Sequence, residues 1–384
     1  MARRPTVLIA GISTRGLVDS ATRAGWDVAA IDGFADLDLA ERATHVVRAR
    51  APGARFSAHR AALLAQGIAA NLVAYSAPFE NHPAAVERLA VNRTLLGNSP
   101  DTLRAARDPV QLSRTLRRLG LPALRVRTTP PVHGDVRWLV KPRRSGGGHG
   151  IAFWNSRGDR SSHAPGTYYQ EYVAGEPGSL LFAADGERAV LLGMTRLLAG
   201  DRAFGAAPYR YSGNIVCSEA QSVARVEAGR NLVDCITREF GLVGVNGIDV
   251  MWRGSVPYAL EINPRYTAAM ELLERSLGVA VFSIHVAACS GTLPRRVRRT
   301  MLGASGKGVV YARESVMIGD TTMWLRDPTV RDIPAPFSRF SRGDPICTVF
   351  AHASTLCRCH EALVSRARQV YRELTTAGRK RRLA

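Results

Sequence analysis

The segment Tyr258-Ala259-Leu260-Glu261-Ile262-Asn263-Pro264-Arg265 constrains this chain more than any other, together with Asn246-Gly247-Ile248-Asp249-Val250 upstream of it. Read as two antiparallel strands, they carry two carboxylates and one amide carbonyl to the same side of a hairpin. Side chains on a strand alternate faces with period two, so Glu261 and Asn263 point the same way. Three hard oxygen donors, Asp249, Glu261 and Asn263, then converge with Arg265 two positions on, which makes a Mg²⁺ site that also faces an anion. Mg²⁺ keeps few protein ligands and completes its octahedron with waters and phosphate oxygens. The pattern therefore predicts a nucleoside triphosphate, with Mn²⁺ as a substitute cation.

A second segment points to the same ligand. Trp138-Leu139-Val140-Lys141-Pro142 reads as a strand, and Ser145-Gly146-Gly147-Gly148-His149-Gly150 as a flexible loop before the next strand, Ile151 to Trp154. Glycines let backbone N–H groups approach phosphates and take up positive φ. No Gly-Lys-Ser/Thr ends the loop and no helix start follows, so it is not a Walker loop. Lysine occurs only at 141, 307 and 380 in a chain rich in arginine. A compact ammonium that reaches phosphate from a strand is a physical reason for Lys at 141. A solvated hairpin with a glycine turn is the plain alternative.

The third segment, Tyr168-Tyr169-Gln170-Glu171-Tyr172-Val173-Ala174-Gly175-Glu176-Pro177, is a strand running into a Gly/Pro turn. With it the chain resembles the ATP-grasp superfamily, over about residues 95 to 290. The order of parts is the same: Lys141 strand, glycine loop, hinge at Gln170 to Val173, Asp249, then Glu261/Asn263/Arg265. The resemblance implies an α/β and α+β architecture in which two lobes hold ATP, with the hinge backbone (Gln170, Glu171, Tyr172, Val173, and Glu176 beyond it) reading adenine. It assigns Lys141 to the α- and β-phosphates and residues 145–150 to a lid. Arg265 would stabilise charge on the transferring phosphoryl or acyl-phosphate. ATP-grasp enzymes commonly carry a further nucleotide-contacting lysine where this chain has Asp108-Pro109, and that lysine is missing.

The domain organisation expected is a Rossmann-like domain at 1–98 and an ATP-grasp domain at 99–300, with a small lobe near 123–175 and a central lobe near 176–300. A small β-rich C-terminal portion at 301–384 ends in a basic tail. Thr6 to Ala10, a helix from Leu17 to Ala24 and Asp27 to Ile31 form a βαβ unit, whose glycine spacing excludes a dinucleotide fingerprint. Ser13, Arg15 and Glu80 follow strand ends and are candidates for the far wall of the cleft. Pro208 to Ile215 reads as a polar, aromatic loop able to order a carboxylate or acyl-phosphate. Residues 219–240 read as an amphipathic helix with Val223, Val226, Leu232, Val233 and Ile236 near one face.

Composition bounds the rest. The 384 residues, 46% hydrophobic and 22% charged, suit two or three globular domains. The apolar run after Met1 is too short for a leader and no run spans a bilayer, so a cytoplasmic protein without a membrane is expected. Cys357-Arg-Cys359-His360 lies in a helical stretch where i and i+2 do not share a face, so no metal is expected there. The net charge of +20 is spread along the chain without a recognition motif, and nucleic acid is not expected as the main partner. A homodimer is allowed.

The resemblance narrows further to the carboligase-type group and to the tyramine–glutamate ligases of methanofuran biosynthesis. It rests on the Ala-Gly-Ile-Ser-Thr-Arg start, Pro78-Phe79-Glu80 and Tyr211-Ser-Gly-Asn214. It implies that ATP activates a carboxylate as an acyl-phosphate that an amine attacks, in small-molecule cofactor biosynthesis linked to C1 metabolism. A bicarbonate-activating carboxylase of purine-pathway type and a non-catalytic ATP-binding scaffold are the competing readings.

Overall fold

The computed structural model describes residues 4–50, 54–131, 136–155, 165–217, 222–295 and 302–382. The chain starts as a parallel sheet. Strands β1 (Thr6–Gly11), β2 (Asp27–Asp32), β3 (His45–Arg48), β4 (Leu72–Tyr75) and β5 (Thr94–Leu96) lie in the order β3-β2-β1-β4-β5. β1 and β2 are buried along nearly their whole length, as strands covered on both faces by helices must be. The order reverses between β1 and β4, and a cleft opens beyond the carboxyl ends of strands at such a point. Ser13 follows β1 and Glu80 follows β4.

A small antiparallel sheet comes next, with β6 (Val126–Arg127), β7 (Trp138–Pro142), β8 (Ala152–Phe153) and β9 (Thr167–Glu171) in the order β6-β9-β7-β8. Lys141 on β7 sits opposite Tyr168 on β9. Helix Pro109–Arg118 leads into this lobe. Asp108 caps it through Val110 N and Gln111 N, with Pro in the first turn, where its missing N–H costs nothing.

The large sheet holds β10 (Glu176–Asp185), β11 (Ala189–Ala199), β12 (Tyr211–Cys217), β13 (Val243–Arg253), β14 (Val256–Asn263) and β15 (Ala304–Tyr311). A two-stranded ribbon, β16 (Val316–Met317) with β18 (Arg339–Phe340), lies beside it, while β17 (Val330–Arg331) and β19 (Pro345–Ala353) join the sheet itself. Its order is β14-β13-β10-β11-β12-β15-β19-β17. The strands after residue 303 therefore continue the sheet that carries Asp249 and Glu261, and residues 300–301 lie outside the described part. Helix Leu356–Arg382 covers β15 and β19, burying Cys359, Leu363, Ala367 and Val370; the side chains of the basic tail lie outside the described residues.

Two local readings change. Tyr211 to Ile215 are not loop but the start of β12, because β11 on one side and β15 on the other both pair with them. A bulge at Leu198/Ala199 brings Tyr211 and Asn214 to one face, where the Tyr211 hydroxyl donates to Asn214 Oδ1 at 2.7 Å. Val223 opens helix Val223–Phe240 and is 74% exposed, whereas Leu232, Val233 and Ile236 are buried. Among the described residues no single helix is long and apolar enough to cross a membrane.

Candidate active site

The hairpin β13–β14 sets Asp249 directly opposite Glu261, and Gly247 opposite Asn263. Residues opposite each other in an antiparallel pair share a face, so all three oxygen-bearing side chains meet on one side of the sheet. Asn263 Nδ2 donates to Asp249 Oδ2 at 3.0 Å. On the other flank β10 places Ser179 beside Asp249, and its hydroxyl donates to Oδ1 at 2.7 Å. Burial, and then the charge of Glu261, push Asp249 up to about 6. Burial also acts to raise Glu261, but Arg107 and Lys141 outweigh it and hold that carboxylate below its usual range. One carboxylate short of compensating charge beside another that is fully ionised is the electrostatic condition a divalent cation relieves. The donor set, two carboxylates and an amide oxygen, fits Mg²⁺. Asn263 Oδ1 now accepts from Arg265 Nη2 at 3.4 Å.

Lys141 comes to this hairpin from the small sheet. Its Nζ donates to Gln170 Oε1 at 2.6 Å, and Gln170 Nε2 donates to Leu260 O at 3.1 Å, so the Gln170 amide ties the lysine strand to the Glu261 strand. Burial lowers the Lys141 ammonium below its ordinary value, while Glu261 and Asp249 pull it back. The remaining hinge residues are placed differently. Glu171 accepts from Arg125 N at 3.0 Å, and Tyr172 packs edge-on against Phe153 with the Arg137 guanidinium over its ring. Val173 is half-buried in the link to β10. Glu176 is not brought to the metal end: its exposed carboxylate pairs with Arg225 at 2.8 Å, which holds it below the usual range.

The glycine loop lies against the strand before the hairpin. Ser145 Oγ donates to His149 O at 2.7 Å, and Tyr211 N donates to Gly147 O at 3.0 Å. Gly148 has φ +75°, and a Cβ there would stand 1.8 Å from Tyr209 O. Gly146 and Gly150 flank this contact, both exposed. His149 is exposed; partial burial, then Arg210 and Arg55, lower its imidazole below the ordinary value.

Arg265 turns back from the end of β14 with 12% of its side chain exposed; Nη1 donates to Tyr266 O at 3.1 Å. Its Nε lies 2.8 Å from Glu80 Oε1 without hydrogen-bond alignment, since both that nitrogen and Glu80 Oε2 lack a hydrogen-bond partner. Glu80 thus reaches the hairpin from the parallel-sheet lobe. Ser13 stays exposed and accepts from Ser76 through its carbonyl. Arg15 is not a cleft-lining residue: it is buried and held by Glu271 at 2.5 Å and Asp332 at 2.9 Å.

Sequence reading missed Ser179 and, above all, Arg107. The lysine of the family pattern is missing at Asp108-Pro109, and a different cation, Arg107, stands just before it. Arg107 Nη1 lies 3.1 Å from Glu261 Oε2. Nothing in the pattern of residues 99–110 marks one arginine among many, because its partners lie far along the chain.

Residues 106–269 match the family model of the ATP-grasp domain. An uncharacterised protein of Methanocaldococcus jannaschii is 28% identical over 118 residues, a stretch covering 30% of this chain and 28% of that protein. The chain therefore spans well under half the length of that relative. Two solved structures resemble it over nearly its whole length. One is the biotin carboxylase domain dimer of Hydrogenobacter thermophilus 2-oxoglutarate carboxylase with MgADP and bicarbonate (TM-score 0.71, 14% identity, 94% of this chain and 90% of that one). The other is N5-carboxyaminoimidazole ribonucleotide synthetase from Thermus thermophilus (TM-score 0.65, 17% identity, 94% and 98%). At such identities the likeness concerns fold. Residues 106–269 thus match the ATP-grasp domain, and the chain has the ATP-grasp architecture.

Proposed function

We propose that the protein activates a carboxylate with ATP and couples it to an amine. The observation that carries this is the convergence of Asp249, Glu261, Asn263 and Lys141 from two sheets. At the floor of the site the cations Lys141, Arg107 and Arg265 face the carboxylates Asp249, Glu261 and Glu80. With that charge nearly balanced, a triphosphate has to arrive with its own cation. Asp249, Glu261 and Asn263 would hold Mg²⁺, which supplies charge neutralisation at the transferring phosphoryl. Lys141 binds the α- and β-phosphates, residues 145–150 cover them, and the segment 170–173, with Glu176 beyond it, borders the base. Transfer of the γ-phosphoryl to a carboxylate oxygen releases ADP. The amine nitrogen then attacks the acyl carbon, the C–O bond to phosphate breaks, and inorganic phosphate leaves with the proton that the nitrogen gives up. Arg265, beside Asn263 and close to Glu80, would meet the charge that develops on the acyl-phosphate.

The resemblance to tyramine–glutamate ligases makes glutamate with an aryl-ethylamine the first pair to try, in a pathway of cofactor assembly. The carboxylase reading also has an observation behind it, since one structural neighbour is a biotin carboxylase domain that holds bicarbonate and another is by name the synthetase of an N5-carboxyamino product. Incubation with ATP, Mg²⁺ and panels of amino acids and amines, following ADP, separates the two. ADP release that needs an amino acid and an amine supports the ligase. Release that needs bicarbonate replaces it with the carboxylase, and no release with any substrate leaves a nucleotide-binding scaffold. Light scattering tests the homodimer.

A further inference from the structure

Arg107 closes helix Pro100–Ala106 and precedes the cap of the next one. Its guanidinium joins three parts of the molecule. Nη1 donates to Ile262 O at 2.7 Å and to Glu261 Oε2 at 3.1 Å, on the hairpin. Nη2 donates to Ser145 O at 3.3 Å, at the root of the glycine loop. Nε donates to Asn81 Oδ1 at 3.0 Å, and Asn81 Nδ2 reaches the same Ser145 carbonyl at 3.4 Å from the parallel-sheet lobe. Only 11% of the Arg107 side chain is exposed, so these bonds act with little competition from water. A planar fork spreads five N–H donors over three nitrogens and so reaches partners that lie apart, whereas a lysine ammonium has its three donors on one nitrogen, a compact point.

The two functional consequences are linked through one rigid group. Glu261 Oε2 accepts from Arg107, which orients the carboxylate and would leave Oε1 for a cation. The same guanidinium holds the Ser145 carbonyl, which sets how far the loop can lift. We propose that Arg107 is a positioning residue that couples occupancy of the metal site to closure of the glycine lid. This rests on the Mg²⁺–ATP reading above.

Two readouts test it. The first is the Mg²⁺ concentration that half-saturates thermal stabilisation by ADP. The second is tryptic cleavage after Arg143 and Arg144, at the lid's base, with and without MgADP. In the wild type MgADP should slow that cleavage, with the same half-saturating Mg²⁺ as the stabilisation. Arg107→Met should need about tenfold more Mg²⁺ or above, a loss of about 1.4 kcal/mol, and lose protection even at saturating MgADP. Arg107→Lys should recover part of the Mg²⁺ response but not the protection, and Asn81→Ala, which removes the second donor to Ser145 O and the acceptor of Arg107 Nε but keeps both Nη1 bonds to the hairpin, should weaken protection with Mg²⁺ dependence shifted less than about twofold. An unchanged Mg²⁺ midpoint in both Arg107 variants, or protection that survives in all three, overturns the coupling. If Arg107→Met does not fold, the other two variants decide. A wild type with no nucleotide response fails the Mg²⁺–ATP reading itself, a distinct outcome, and the coupling falls with it.

Discussion

Glu261 is where a single side chain carries the most, because Arg107 and Lys141 both face its charge and the proposed Mg²⁺ would depend on it. Glu261→Ala should lower ADP formation by about 1000-fold or more while circular dichroism stays native, and near-normal turnover would remove it from the metal site. Asp249 gives a pH signature. Its folded value, about 6, lies above the ordinary 3.8. Such a group favours the fold most at pH below its unfolded value, and that contribution is lost as pH rises through about 6. The protein without metal should therefore gain stability from this group as pH falls through about 6, over the same interval in which Mg²⁺ binding, which needs the carboxylate, weakens. Melting curves with and without Mg²⁺–ATP from pH 5 to 8 would show the Mg²⁺ increment shrinking toward acid; an increment flat with pH would argue against Asp249 as a ligand. At this scale Asp249, Glu261 and Asn263 could be read together from the chain because strand periodicity and one hairpin relate them. Arg107 and Ser179 could not, and Glu80 could be read only as a candidate for the cleft wall without its partner: each meets the hairpin from a segment 70 or more positions away, and no local periodicity encodes such a meeting.

Among the elements, the glycine loop has the sharpest steric requirement. A methyl at 148 would have to displace the Tyr209 carbonyl while holding a left-handed backbone. Gly148→Ala should lower kcat/KM for ATP by about 10- to 100-fold, or about 1.4–2.7 kcal/mol, with little change in Tm, since the loop covers no core. Kinetics equal to wild type would mean that this closed contact is not used in turnover. The loop's glycines and the Lys141 strand are legible in order along the chain. The element-level miss, β12 read as a loop at Tyr211 to Ile215, follows from its composition: Tyr, Ser, Gly and Asn read as a turn until β11 and β15 supply partners on both sides.

For the molecule as a whole, the parallel-sheet lobe is fastened to the large sheet by a buried ionic cluster. Arg15 meets Glu271 and Asp332, and Lys307 Nζ donates to Glu271 Oε2 at 2.8 Å. Burial works against Glu271, yet Arg15 and Lys307 hold it well below the usual carboxylate range, so its contribution is lost only when pH falls through that lowered value. Removing one partner strands the others: Arg15→Met should cost about 3–5 kcal/mol in urea unfolding at neutral pH, and a cost under about 0.5 kcal/mol would show the cluster to be dispensable. Lys141 and Lys307, two of the three lysines in the sequence, both sit buried or half-buried against carboxylates or their neighbours. By itself the sequence determined that three oxygen-bearing side chains share one strand face, and the lysine and glycine segments and their order, because alternation and turn chemistry are local and survive without partners. Only the tertiary structure decided that Arg107 stands in the site, that Arg15 is locked away from the cleft, and that the C-terminal strands extend the sheet of the metal hairpin. Those outcomes depend on which distant groups share a low-dielectric interior, and there a charge is worth what its neighbours make it.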